Sequence, residues 1–193
     1  MKNLIIVFLT TFSIFCKSQN SNFENDYNSL IQFLQEEKWT DAEKICNELL
    51  KSTELNDSLQ TEKLVLRYIY IYSNAGLLNE HKINKEEALK RVQFLKGKEM
   101  IMPSHPFREN CSTNCTNFAN DNKNTFYTCV TNKSATQIFS FEYVNIANRI
   151  NENEINLDNK MISLKGTLNE ISVEGNILPR YKLKFINGDY RIE

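Results

Sequence analysis

Leu64-Val65-Leu66-Arg67-Tyr68-Ile69-Tyr70-Ile71-Tyr72 is the stretch whose reading decides the fold. Taken alone, Tyr68 to Tyr72 passes for a strand, with aromatic and β-branched side chains in strict succession. Its setting argues otherwise. The run is apolar all round and lies inside a segment, from Phe23 to about Leu95, whose apolar residues recur at helical spacing. It therefore reads as a buried central helix that opens at Asp57 or Ser58 and ends near Gly76.

Upstream, Phe23, Tyr27, Leu30, Ile31 and Leu34 fall on one face of a first helix, and Glu37-Lys38 makes a tight turn. Thr40-Asp41-Ala42-Glu43 has the pattern of a capping box, in which a hydroxyl and a carboxylate satisfy free amides reciprocally. Ala42, Cys46 and Leu49 form the stripe of the second helix. Downstream of the central helix, Asn84 with Glu87 makes another box, Ala88, Val92 and Leu95 give the stripe, and Gly97 is the expected stop.

The segment Lys38-Trp39-Thr40-Asp41-Ala42-Glu43-Lys44-Ile45-Cys46-Asn47-Glu48-Leu49 resembles the second half of a tetratricopeptide repeat. Ala88, Val92 and Leu95, with Pro103 beyond, are similar. Lys38 stands where that family has a small residue, Cys46 replaces an aromatic, and Ala42 and Ala88 are 46 residues apart, longer than the family period. The resemblance covers about 75 residues and implies paired helices with a protein or peptide partner. A plain four-helix core with hairpin connections is the competing reading.

From Thr125 onward the period becomes two. Phe139, Phe141 and Tyr143 alternate with Ser140 and Glu142; Ile162, Leu164 and Leu168 with Ser163, Lys165 and Thr167; Tyr181, Leu183 and Phe185 with Lys182 and Lys184. The aromatics are expected on the inward face. An earlier strand spans Phe126 to Val130; Asn132-Lys133-Ser134-Ala135, Asp158-Asn159-Lys160 and Glu174-Gly175-Asn176 are turns, and Asn187-Gly188 is the strongest hairpin signal. Gly166 marks a bend or bulge. The expected class is α+β: helical hairpins, then a small antiparallel sheet or open barrel. Asn159 to Leu168 is faintly similar to the first strand of oligonucleotide/oligosaccharide-binding barrels, which implies a ligand-binding face.

Between Met100 and Asn124 no periodicity survives, and Pro103 and Pro106 punctuate a loop or linker carrying His105, Cys111 and Cys115, with Cys129 following. The expected divisions are 1–18, 19–99, 100–124 and 125–193. Cys46, Cys111, Cys115 and Cys129 are disulfide candidates, the favoured bridge joining Cys111 or Cys115 to Cys129 and leaving the other for Cys46. The alternative is zinc held by His105, Cys111, Cys115 and Cys129, although C-x3-C departs from the commoner C-x2-C. A redox dithiol at Cys111 and Cys115 lacks the thioredoxin-type spacing.

The compartment bears on that choice. Lys2, the apolar run Leu4 to Phe15 and Cys16-Lys17-Ser18 form a secretory signal cut after Ser18, with an oxidising destination, secreted or periplasmic. Cys16 is also a candidate lipid anchor, disfavoured by the bulky Phe15 before it. Cleavage leaves about 175 residues and removes Lys2 and Lys17, moving the formal net charge from -1 to -3. The charges stay interspersed, which gives nucleic acid no electrostatic footprint. After the leader no run is long enough to span a membrane.

Histidines number 2, His81 and His105, and no G-x-S-x-G, H-E-x-x-H, phosphate-loop or dinucleotide pattern occurs. The expectation is an exported, non-enzymatic protein acting in protein interaction or envelope assembly, with no cofactor. A zinc-dependent binding module is the first alternative and a carboxylate-dependent hydrolase the second.

Overall fold

The computed structural model describes residues 21–54, 59–119, 124–148 and 157–193. The expected leader, its cleavage site, Cys16 and the helix opening at Asp57 or Ser58 lie outside these residues. Helices α1 (Ser21–Gln35), α2 (Trp39–Glu54), α3 (Gln60–Asn79) and α4 (Lys85–Val92) precede a mixed sheet, the last helix running into a 3-10 turn, Gln93–Leu95. The strands are β1 (Glu99–Ile101), β2 (His105–Pro106), β3 (Thr116–Phe118), β4 (Thr125–Thr131), β5 (Ile138–Ile146), β6 (Met161–Glu174) and β7 (Arg180–Ile192). The arrangement is α+β.

Helix α3 contains the deciding stretch and is buried along most of its length. Its polar tips reach sheet partners, which lets so many polar side chains be buried. The Tyr68 hydroxyl donates to Glu142, Tyr72 to the Thr131 carbonyl, the Asn79 amide to Ile138 and Pro179, and the Arg67 guanidinium to the Glu99 carbonyl. Apolar residues from α1 to β7 belong to one continuous cluster, so helices and sheet share a core.

Helix ends follow local chemistry. Glu37 (φ 56°) and His81 (φ 58°) occupy the left-handed position after α1 and α3. The Lys38 and Lys82 amides then bond back to Phe33 and Leu77, the Schellman pattern. Asn84 caps α4 as expected, accepting the Glu87 amide at 2.9 Å.

Two expectations for the helices need correction. The capping box at Thr40 falls inside α2, because the chain turns straight from Glu37 into the helix and Ala42 already bonds the Lys38 carbonyl. Gly76 does not stop α3. A Cβ there would lie 2.1 Å from Cδ2 of Trp39, so the glycine seats the indole, which packs edge-on to Tyr72 and Phe139.

The sheet order is β1-β6-β7-β5-β4-β3, with β2 also on β6. It is not closed. Among the described strands all pairings are antiparallel except β5 with β7, which is parallel and corrects the all-antiparallel expectation; outside them Phe107 makes an isolated parallel bridge to Thr116. A period of two marks a strand and carries no information on partner direction. The segment read as a loop contributes β1, β2 and β3, each too short to show periodicity.

Asn187-Gly188 makes no hairpin. Both residues lie inside β7 as a bulge opposite Gly166, where the register runs from Lys165 with Asp189 to Thr167 with Ile186. Asn187 takes φ 52°, and a Cβ on Gly188 would sit 2.6 Å from the Asn145 carbonyl oxygen. The expected bulge at Gly166 is present. The turns at Ala135 (φ 57°), Asn159 (φ 56°) and Gly175 (φ 80°) are also found.

A second bulge matters more. Between Val130, paired with Ser140, and Thr131, paired with Ile138, strand β5 carries an extra residue, Phe139. Phe139 packs inward on Trp39, and the slip then turns Ser140, Glu142 and Val144 inward as well. Phe141 and Tyr143, expected in the core, consequently face away from the helices and are half-buried.

Candidate functional site

The outward face of the sheet carries Tyr127 from β4, Phe141 and Tyr143 from β5, and Arg180, Lys182 and Lys184 from β7, placed side by side by the register. Tyr127 stacks on Phe141 at 6.0 Å between ring centroids and meets Tyr143 at 5.2 Å. The Arg180 guanidinium lies 4.9 Å over Phe141, and the Lys182 ammonium 5.9 Å over Tyr143. Alternate residues of one strand share a face about 6.8 Å apart, so the cations form a row beside an aromatic platform.

Lys182 pairs with Glu174 at 2.9 Å and Lys184 with Glu170 at 2.7 Å. Such exposed pairs contribute little to stability, and an incoming anion can replace their acids. Burial raises the Tyr127 phenol well above its ordinary range. The platform is therefore neutral and apolar, while the row beside it is charged.

The cysteine loop borders this face. Cys111 and Cys115 are joined to each other, and Cys46 and Cys129 are buried free thiols. This corrects the expected bridges through Cys129 and Cys46. Cys46 faces the helical core, where its thiol donates to the Leu66 carbonyl, far from the loop in the fold. A Cys3His zinc set does not form from these residues, because two of the four are committed to each other. Among the described residues no group of three or more His, Cys, Asp or Glu is arranged to hold a metal.

His105 sits on β2 opposite Ile162, fully inside the protein, and neither ring nitrogen makes a well-formed hydrogen bond. Burial pushes its pKa down to about 4; the Asn114 backbone nearby opposes this weakly. His81 serves the α3 terminus.

Sequence reasoning missed Glu142. It is 2 % exposed beneath α3 and accepts from the Tyr68 hydroxyl at 2.8 Å and from Ser140 at 2.9 Å. Burial pushes its pKa up to about 7, against the pull of those two donors. Its alternation with Phe141 and Tyr143 read as an outward position, and only the β5 bulge brings it inside. A perturbed carboxyl can signal catalysis. Here the group is sealed between helix and sheet, where it can hold a proton and bind the two layers together.

No helix among the described residues is long and apolar enough to cross a membrane. Compared with known proteins, the chain matches no family model, no curated protein and no solved structure.

Proposed function

We propose that the protein is an exported, non-enzymatic interaction module that takes an extended, acidic segment of a partner protein on the helix-free face of its sheet. The observation that carries this reading is the juxtaposition of Tyr127, Phe141 and Tyr143 with the row Arg180, Lys182 and Lys184. An extended peptide repeats its side chains on one face at the spacing of that row, so alternate carboxylates meet successive cations while apolar residues lie on the rings. Export is supported by the leader pattern at residues 1–18 and by the Cys111–Cys115 bond, which suits an oxidising compartment.

The test uses the mature protein and a synthetic peptide alternating glutamate with tyrosine, titrated calorimetrically at low and physiological salt. Saturable binding that weakens with salt and falls at least tenfold in Arg180→Ala and in Phe141→Ala supports the reading. Equal binding by the variants, or binding to an acidic polysaccharide in preference to the peptide, overturns it.

A further inference from the structure

The β3–β4 register places Thr116 opposite Thr128, Asn117 opposite Tyr127 and Phe118 opposite Phe126. Continued by one residue, it sets Cys115 opposite Cys129. Two contacts hold the loop there: the Asn114 amide donates to the Cys129 carbonyl at 2.8 Å, and the Asn114 side chain bonds Thr131 at both its amide and its hydroxyl. Asn114 takes φ 51°, the left-handed conformation common at bulges, at the point where the continued register sets Cys115 beside Cys129. Facing residues of an antiparallel pair have Cα atoms roughly 4.5–5.5 Å apart, inside the range a disulfide spans.

We infer that Cys115 is shared between two alternative partners, and that the loop disulfide exchanges from Cys111–Cys115 to Cys115–Cys129. In the exchange the Cys129 thiolate attacks Sγ of Cys115. The Cys129–Cys115 bond forms, the Cys111–Cys115 bond breaks, and Cys111 leaves as a thiolate that takes up the proton Cys129 gave up. The number of disulfides is unchanged, and no oxidant or reductant is consumed.

The surroundings fit that chemistry. Cys115 and Cys129 are 4 % and 1 % exposed, whereas Cys111 is only half-buried, so exchange moves a free thiol from interior to surface. Burial raises the Cys129 thiol, while the Tyr127 hydroxyl and Arg180 favour its thiolate. The new bond would tie the loop directly across two strands, beside the aromatic platform. The inference stands whatever that face binds.

Trypsin separates the two pairings. Cleavage after Arg108, Lys123 and Lys133 puts Cys111 and Cys115 in one peptide and Cys129 in the next. The protein without residues 1–18, carrying Cys46→Ser to remove the other free thiol, is incubated folded at pH 8.5, trapped with an alkylating reagent, and digested without reduction. A cross-peptide bond from Cys115 to Cys129, with Cys111 alkylated, is expected to accumulate over minutes to hours. If the only bond found remains within the first peptide, and only Cys129 alkylates on unfolding, the inference fails. A second variant, Cys111→Ser in the same background, is oxidised with glutathione disulfide. Its Cys115 and Cys129 should become resistant to alkylation in denaturant until reduced, with melting retained, and continued alkylation of both would equally overturn the exchange.

Discussion

The indole of Trp39 occupies the space that a side chain on Gly76 would need. The two residues stand 37 positions apart in the chain, and a Cβ at Gly76 would meet the ring at 2.1 Å. Trp39 is thereby pressed between Tyr72 and Phe139, so one glycine lets α2, α3 and the sheet meet at a single side chain.

Gly76→Ala tests this directly. Alanine favours a helix interior over glycine by about 1 kcal/mol, yet overpacking a core costs typically about 1–3 kcal/mol. The expected outcome is a net loss in a urea titration, and a smaller loss when the same change is made in a Trp39→Leu background. A stabilised Gly76→Ala protein would mean that the indole does not lie against Gly76.

Glu142 and His105 give stability opposite pH slopes. Glu142 holds its proton up to about 7 in the folded state against an ordinary 4.5. Its contribution is complete below about 4.5 and is lost as pH rises toward 7, by about 3 kcal/mol at the outside. His105 is held neutral down to about 4 against 6.5. Its contribution is complete above 6.5 and is lost as pH falls. Stability measured between pH 4.5 and 6.5 should be nearly flat in the parent, rise with pH in Glu142→Gln, and fall with pH in His105→Leu. Parallel curves for parent and Glu142→Gln would show that Glu142 is ionised in the native protein.

Gly188→Val should be harmful for a reason other than hairpin geometry. The added side chain would press on the Asn145 carbonyl and on Val144, and neither backbone nor β-branched residue yields easily, so a loss of roughly 2–3 kcal/mol is expected. Asn187→Gly keeps the left-handed conformation open and should change the melting temperature little. Equal effects from both changes would argue against the bulge.

Asn84→Ala removes the acceptor for the Glu87 amide and should cost about 1 kcal/mol by thermal melting. An unchanged midpoint would mean water replaces that bond without loss.

What the sequence made legible was local. The helix at Leu64 to Tyr72 declared itself through its helical neighbours. The cap at Asn84 and the turns at Glu37, Asn159 and Gly175 are chemistry within a few residues. The missed features depend on distant partners. Alternation along β5 is a reliable sign of a strand, but the extra residue at Phe139 reverses the faces beyond it, and only the pairing with β4 reveals that. The outward platform of Phe141 and Tyr143 and the sealed Glu142 are two results of that one slip. The pairing of Cys111 with Cys115 was likewise beyond the spacing, which allows three connectivities among four cysteines.

Strand β7 is the last in chain order yet lies between β6 and β5. Strands β1, β2 and β6 on one side and β3, β4 and β5 on the other are hydrogen-bonded into one sheet only when β7 docks between them. Until then α3 has only part of its floor, and Tyr181, whose hydroxyl will reach the Ala88 carbonyl, is not in place. Closing this sheet is therefore a long-range event, set by when the final strand finds both of its neighbours.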